Sequence, residues 1–190
     1  MKLKSLVSLI IVLVVSSLAH ASWFQGLDVA VDYWAGSGSN ECLVVIDWNN
    51  TNGPYATESH AWGYRWNDTK YVSDALTAID AAGGLAIATG YGGDFLNDAY
   101  YDQSLIDGDN HTSSGYTGWW ALGDTTDGGL TWNGNSGGMT NELLWDGGIE
   151  GMNMDSGAWT MSTITIPIVP EPATMVLLGV GGLLLHRRKQ

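Results

Sequence analysis

Cysteine is almost absent from this chain. Cys42 is the only one among 190 residues, so no intrachain disulfide can form. Basic residues are scarce as well. Five of the seven sit in the end segments, as Lys2, Lys4, Arg187, Arg188 and Lys189, leaving Arg65 and Lys70 in between. Nineteen acids share residues 22–169 with those two bases, a formal charge of −17 against −13 for the whole chain. Phosphate recognition needs clustered cations, so the composition excludes nucleic acid and anionic lipid as partners of this interval. Divalent cations and neutral polysaccharide remain compatible with it. Long apolar runs are missing too. The two longest, residues 6–18 and 173–185, each hold 13 residues, a helix of ~20 Å against a bilayer core of ~30 Å.

What is present begins with the ends. Residues 1–4 are basic, residues 6–18 are apolar apart from serines, and Ala19-His20-Ala21 follows as a small-x-small cleavage site. That order is the pattern of a secretory signal peptide. At the other end Pro170-Glu171-Pro172 precedes the apolar run 173–185, and Arg187, Arg188 and Lys189 close the chain. The prolines disfavour helix before the run, and the basic cluster would stay on the cytoplasmic side of a membrane. Gly179, Gly181 and Gly182 leave a thin surface for close packing against another membrane helix. A glycosylphosphatidylinositol signal would end in apolar rather than basic residues. The three-part tail resembles the PEP-CTERM sorting signal of exported bacterial proteins. The resemblance implies export to the cell envelope, a C-terminal membrane segment, and processing by an exosortase, a membrane-embedded transpeptidase.

The chain therefore divides into a signal peptide at 1–21, an exported acidic body rich in Gly and Trp at 22–169, and a sorting and anchor segment at 170–190. Within the body, LDVAVDY (27–33) alternates apolar and acidic positions and reads as a strand. GSGSN (36–40) reads as a loop, and residues 42–48 as a central strand with Cys42 a buried, inert thiol. Residues 60–66 form a third strand with Trp62, Tyr64 and Trp66 on one face. The spacing of Leu76 and Ile79, with Ser73 as N-cap and Gly83-Gly84 as stop, predicts one main helix over 73–82. Further strands are expected over 85–91, 118–122 and 158–168. The expected class is α+β: a β-rich single domain, an antiparallel sheet with that helix, flanked by an N-terminal signal helix and a C-terminal membrane helix. VVIDWN, HAWGYRWND, the helix, GYTGWW and ELLWDGG together resemble an uncharacterised domain found repeatedly in proteins with such tails.

No sequence pattern in the body supplies a full catalytic set. Gly134-Asn135-Ser136-Gly137-Gly138 matches G-x-S-x-G, but no histidine follows before His186, and an elbow needs a strand before and a helix after it. His60, His111 and Cys42 lack the short spacings of a zinc site. Asp107 and Asp109, with Asp102 and Asn110, offer hard oxygen ligands of the kind calcium takes, and Asp124 with Asp127 makes a second group. The EF-hand spacing is absent. Trp48, Trp66, Trp132 and Trp145 each precede turn-forming residues, as aromatic plugs at strand ends. Trp119 and Trp120 are the rings that would serve as a platform for sugars. The expectation for the body is a non-enzymatic structural or glycan-binding module on extracellular polysaccharide, without a cofactor unless calcium. The alternative is an extracellular hydrolase acting on envelope polysaccharide or peptide.

Overall fold

A computed structural model of the chain describes residues 21–48, 59–101, 119–155 and 164–169. Residues 1–20 and 170–190 lie outside them, and with them both expected end helices. Among the described residues no helix is long and apolar enough to cross a membrane.

A seven-stranded sheet organises the body in the order β1-β2-β4-β3-β9-β7-β8. β1 (Ala21–Phe24) and β2 (Leu27–Gly36) form a hairpin. Its two turn residues, Gln25 and Gly26, both have positive φ, the geometry whose twist matches that of a two-residue hairpin. β3 (Asn40–Asp47) and β4 (Ser59–Trp66) pair antiparallel over their whole length. β4 lies between β2 and β3, so the 37–39 connection must pass over its end. Gly38 makes that crossing: a Cβ there would collide with the backbone of Trp66.

The sheet is mixed, not antiparallel as expected. β2 runs parallel to β4, and β3 runs parallel to β9 (Gly148–Asp155). β9 then pairs antiparallel with β7 (Trp119–Thr125), and β7 with β8 (Asn133–Asn135). Insertion of β4 and β9 on either side of β3 forces the two parallel pairs. A smaller hairpin of β5 (Leu85–Gly90) and β6 (Phe95–Tyr101) stands apart from the main sheet. No strand covers 164–168. Pro167 has no N–H to give, and the segment makes a single bridge, Ile168 to Val29.

The helix α1 (Val72–Ala82) matches the expected one closely, but Ser73 is not its cap. Tyr71 caps it, with the Asp74 carboxylate accepting from the Tyr71 N–H at 2.9 Å. Segment 139–142 accepts from two further N–H groups at the same end, those of Val72 and Ser73. One face of the sheet buries Cys42, Val44, Ile46, Trp62 and Met152 against Leu76 and Ile79 of α1 and Leu96 and Tyr101 of β6. Trp62 is its aromatic centre, edge-on to Tyr101 with ring centroids 5.1 Å apart. The opposite face is smaller. Val29, Val31, Leu43, Val45 and Ile149 are covered there by Ile164, Ile166, Trp34 and Trp132.

Candidate functional site

The chain's strongest sequence signal is its tail, and the structure shows how the body holds the root of it. Segment 164–169 runs beside the first half of β2, on the side not taken by β1. The Ala30 N–H donates to the Pro167 carbonyl and the Val169 N–H to the Asp28 carbonyl, both at 2.8 Å. Asp47, at the end of β3, is buried, and its carboxylate accepts from the Thr165 N–H at 2.7 Å. Ser59, at the start of β4, donates through Oγ to the Thr165 carbonyl. Ile164 is buried in the smaller core and Ile166 packs against it. One strand, two polar side chains and two apolar anchors therefore fix the last residues before Pro170. A charge-assisted bond from a buried carboxylate is the strongest type in this set.

The other expected processing point lies alongside. Ala21 begins β1, and Ser22 is the register partner of Val29, the residue that bridges to Ile168 on its other side. Gln25 locks this hairpin to the 125–131 loop. Its amide donates to the carbonyls of Thr125 (2.7 Å) and Gly147 (3.2 Å), and its oxygen accepts from the Gly128 N–H (2.9 Å). Asp127 organises that loop from within. Its carboxylate accepts from Thr131 N–H, Thr131 Oγ1 and Thr125 Oγ1, which hold its pKa down at about 2. Asp127 is thus a loop hub already supplied with donors.

Two ionisable groups stand out inside the body. His60 is buried, with Nδ1 2.8 Å from Asp32 Oδ2, and it packs edge-on to Tyr101 at 4.7 Å between centroids. Glu150 lies on the interior strand β9 opposite Asp124 of β7, fully buried, and neither carboxylate oxygen has a hydrogen-bond partner among the described residues. Burial, then the charges of Glu142 and Asp124, pushes its pKa up to about 8. Cys42 is buried on the neighbouring strand. Burial first and Glu150 second push its thiol up, which keeps it inert as expected.

The remaining expected site residues fall as follows. Trp120 is 8 % exposed and packs edge-on against Trp48, 6.1 Å between centroids, so its ring is core and not a surface platform. Trp119 opens β7 in register with Asp155. Ser136 is exposed in a turn where Asn135 Oδ1 accepts from the Gly137 N–H, and no helix follows it, so the elbow context is missing. Trp48 and Trp66 are strand-end plugs as expected, 2 % and 4 % exposed. Asp107, Asp109, Ala19, Pro170, Glu171, Pro172, Arg187, Arg188 and Lys189 lie outside the described residues. Among the described residues no group of three His, Cys, Asp or Glu is placed to hold a metal. Sequence reading missed Gln25, Asp47 and Glu150. Asp47 alone gave a local signal, an acid within the apolar run LVVIDW.

Residues 169–190 match the PEP-CTERM protein-sorting motif. The motif implies export, a membrane-anchored C-terminal sorting signal, and an exosortase as processing partner. No curated protein and no solved structure matches the chain.

Proposed function

We propose that the protein is a non-enzymatic component of the cell envelope, held at the membrane by its sorting signal until an exosortase processes it, and that its body is a structural or glycan-binding module associated with extracellular polysaccharide. The observation that carries the address is the motif at 169–190, joined without a linker to a segment that Asp47, Ser59 and β2 clamp to the body. A rigid junction suits a protein whose tail must be offered to a membrane enzyme while its body stays folded outside. A body charge of −17 with ten Trp and eight Tyr in the chain suits contact with neutral or cation-bridged polysaccharide. With Trp120 in the core, the most exposed aromatic ring among the described residues is Tyr91, 80 % exposed at the β5–β6 connection and braced edge-on by Phe95.

Cell fractionation tests the address. Deleting residues 170–190 is expected to move the protein from the envelope to the medium, and unchanged envelope retention would defeat the sorting claim. Secreted body from the same deletion, applied to immobilised polysaccharide, tests the occupation. Tyr91→Ala is expected to weaken retention severalfold without moving the unfolding midpoint. Turnover on a hydrolase panel would instead make the body an enzyme.

A further inference from the structure

The tail root and the expected mature N-terminus leave the body side by side. Ser22 and Ile168 flank Val29 on opposite sides of β2, so the two chain ends are about 10 Å apart at normal strand spacing. From Val169 to Ala173, where the apolar run of the tail begins, there are four residue steps. Fully extended, they reach at most about 14 Å. The polar layer on each side of a bilayer is itself roughly 5–8 Å deep. Whatever part of the body surrounds Val169 must therefore lie in that layer or within about 10 Å of it.

What surrounds Val169 is apolar and exposed. Trp23 of β1 is 70 % exposed and is the register partner of Asp28, whose carbonyl holds the Val169 N–H. Ile168 is 60 % exposed. Leu130, 85 % exposed, tops the loop that Gln25 holds against the hairpin, and the preceding Gly129 is packed on Ile166. Three of the six large apolar side chains exposed among the described residues thus gather at the end from which the tail departs. Water gives such a cluster no stabilisation, whereas tryptophan and aliphatic side chains are favoured at a membrane interface. Among the described residues the charges closest in sequence are Asp28 and Asp127, and Arg65 lies against Trp34 behind Phe24, so no cluster of cations marks the surface for anionic headgroups. The helix α1 covers the opposite face of the sheet from Ile164 and Ile166, and Thr77 is exposed on it.

We infer that Trp23, Leu130 and Ile168 form a foot that seats the body in the headgroup layer of the bilayer holding its own tail. The foot fixes which side of the body meets the membrane, with α1 on the side turned away from it. The inference rests on the membrane-anchored reading of the tail.

The test uses the chain purified from membranes of cells expressing the full sequence and reconstituted in phosphatidylcholine vesicles. A thiol-reactive fluorophore is placed at Trp23→Cys, at Ile168→Cys and, for reference, at Thr77→Cys on α1; buried Cys42 stays unlabelled in the folded protein. A headgroup spin-labelled lipid is expected to quench positions 23 and 168 severalfold more than position 77. Equal quenching at all three, with protein still floating with the vesicles, overturns the foot while leaving the anchor intact. Protein that does not float overturns the anchored tail and the foot together. Because 23 lies on β1 and 168 in the segment beside β2, misfolding of one variant leaves the other to decide.

Discussion

At pH 8, Glu150→Gln is expected to unfold at a clearly higher temperature than the parent, and at pH 5 the two midpoints are expected to converge. Glu150 is fully buried on an interior strand, without a hydrogen-bond partner among the described residues, and its pKa is pushed up to about 8 from an ordinary 4.5. Between those values the folded chain binds a proton that the unfolded chain has released. Stability is therefore fully present below the unfolded value and falls as pH rises through about 8, by up to ~1.4 kcal/mol for each pH unit. Across the window that is on the order of several kcal/mol, a large fraction of what a domain of this size possesses. Glutamine keeps the shape and removes the ionisation. Both the protonated acid and the amide are buried polar groups, so the two proteins should agree within about 1 kcal/mol at pH 5. Asp127 acts in the opposite sense and in another range. Its pKa is held at about 2, so its contribution is present above its ordinary value near 4 and is lost only as pH falls through about 2. The parent should accordingly be most stable in mild acid, near pH 4 to 5. Thermal melts at half-unit steps of pH check this. A parent midpoint that stays flat from pH 5 to 8, or a variant that is weaker at both ends, would sink the account.

Glu150 also shows where sequence reading stops. β2, β3 and β4 were legible because their side chains obey a local rule. LDVAVDY alternates, NECLVVID is a near-continuous buried run, and HAWGYRW places three aromatics on one face. α1 was legible from its apolar spacing and its glycine stop. β9 was not. Its sequence, GIEGMNMD, holds two glycines, a glutamate and an asparagine, every one a mark against an interior strand. The two glycines have their reason in side chains outside the strand. The Trp145 ring sits against Gly148, and the Trp132 and Ile164 side chains occupy the space where Gly151 would have a Cβ. The parallel pairings were hidden for the same reason, since strand order depends on partners a hundred residues away. Conversely, TITIPI looked like a strand from its β-branched residues, yet it makes one bridge and is held instead by Asp47 and Ser59. The tail was legible in full because its three parts are consecutive. The clamp that holds it was not, because Asp47, Ser59 and Thr165 meet only after the sheet has formed.

Gly63→Val is expected to cost ~3 kcal/mol or more, the upper part of the range for overpacking a filled interior. Valine ordinarily favours a strand, so propensity alone predicts the opposite sign. The structure decides against propensity. Gly63 is the direct register partner of Trp34 across the β2–β4 pair, and the indole of Trp34 folds over it, occupying the position a Cβ would need. The Arg65 guanidinium also lies over that indole, 4.1 Å from the ring centroid, and Phe24 packs tilted against it, 6.1 Å between centroids. The ring cannot slide aside without giving up the cation contact, itself worth ~0.5–1 kcal/mol. A double-mutant cycle isolates the cause. In a Trp34→Ala background the space above residue 63 is empty, and there valine should be neutral or stabilising. Denaturant midpoints of the four proteins measure the coupling. If the cost of Gly63→Val is the same with and without the indole, the glycine is serving backbone geometry, and the ring lies over it without requiring it.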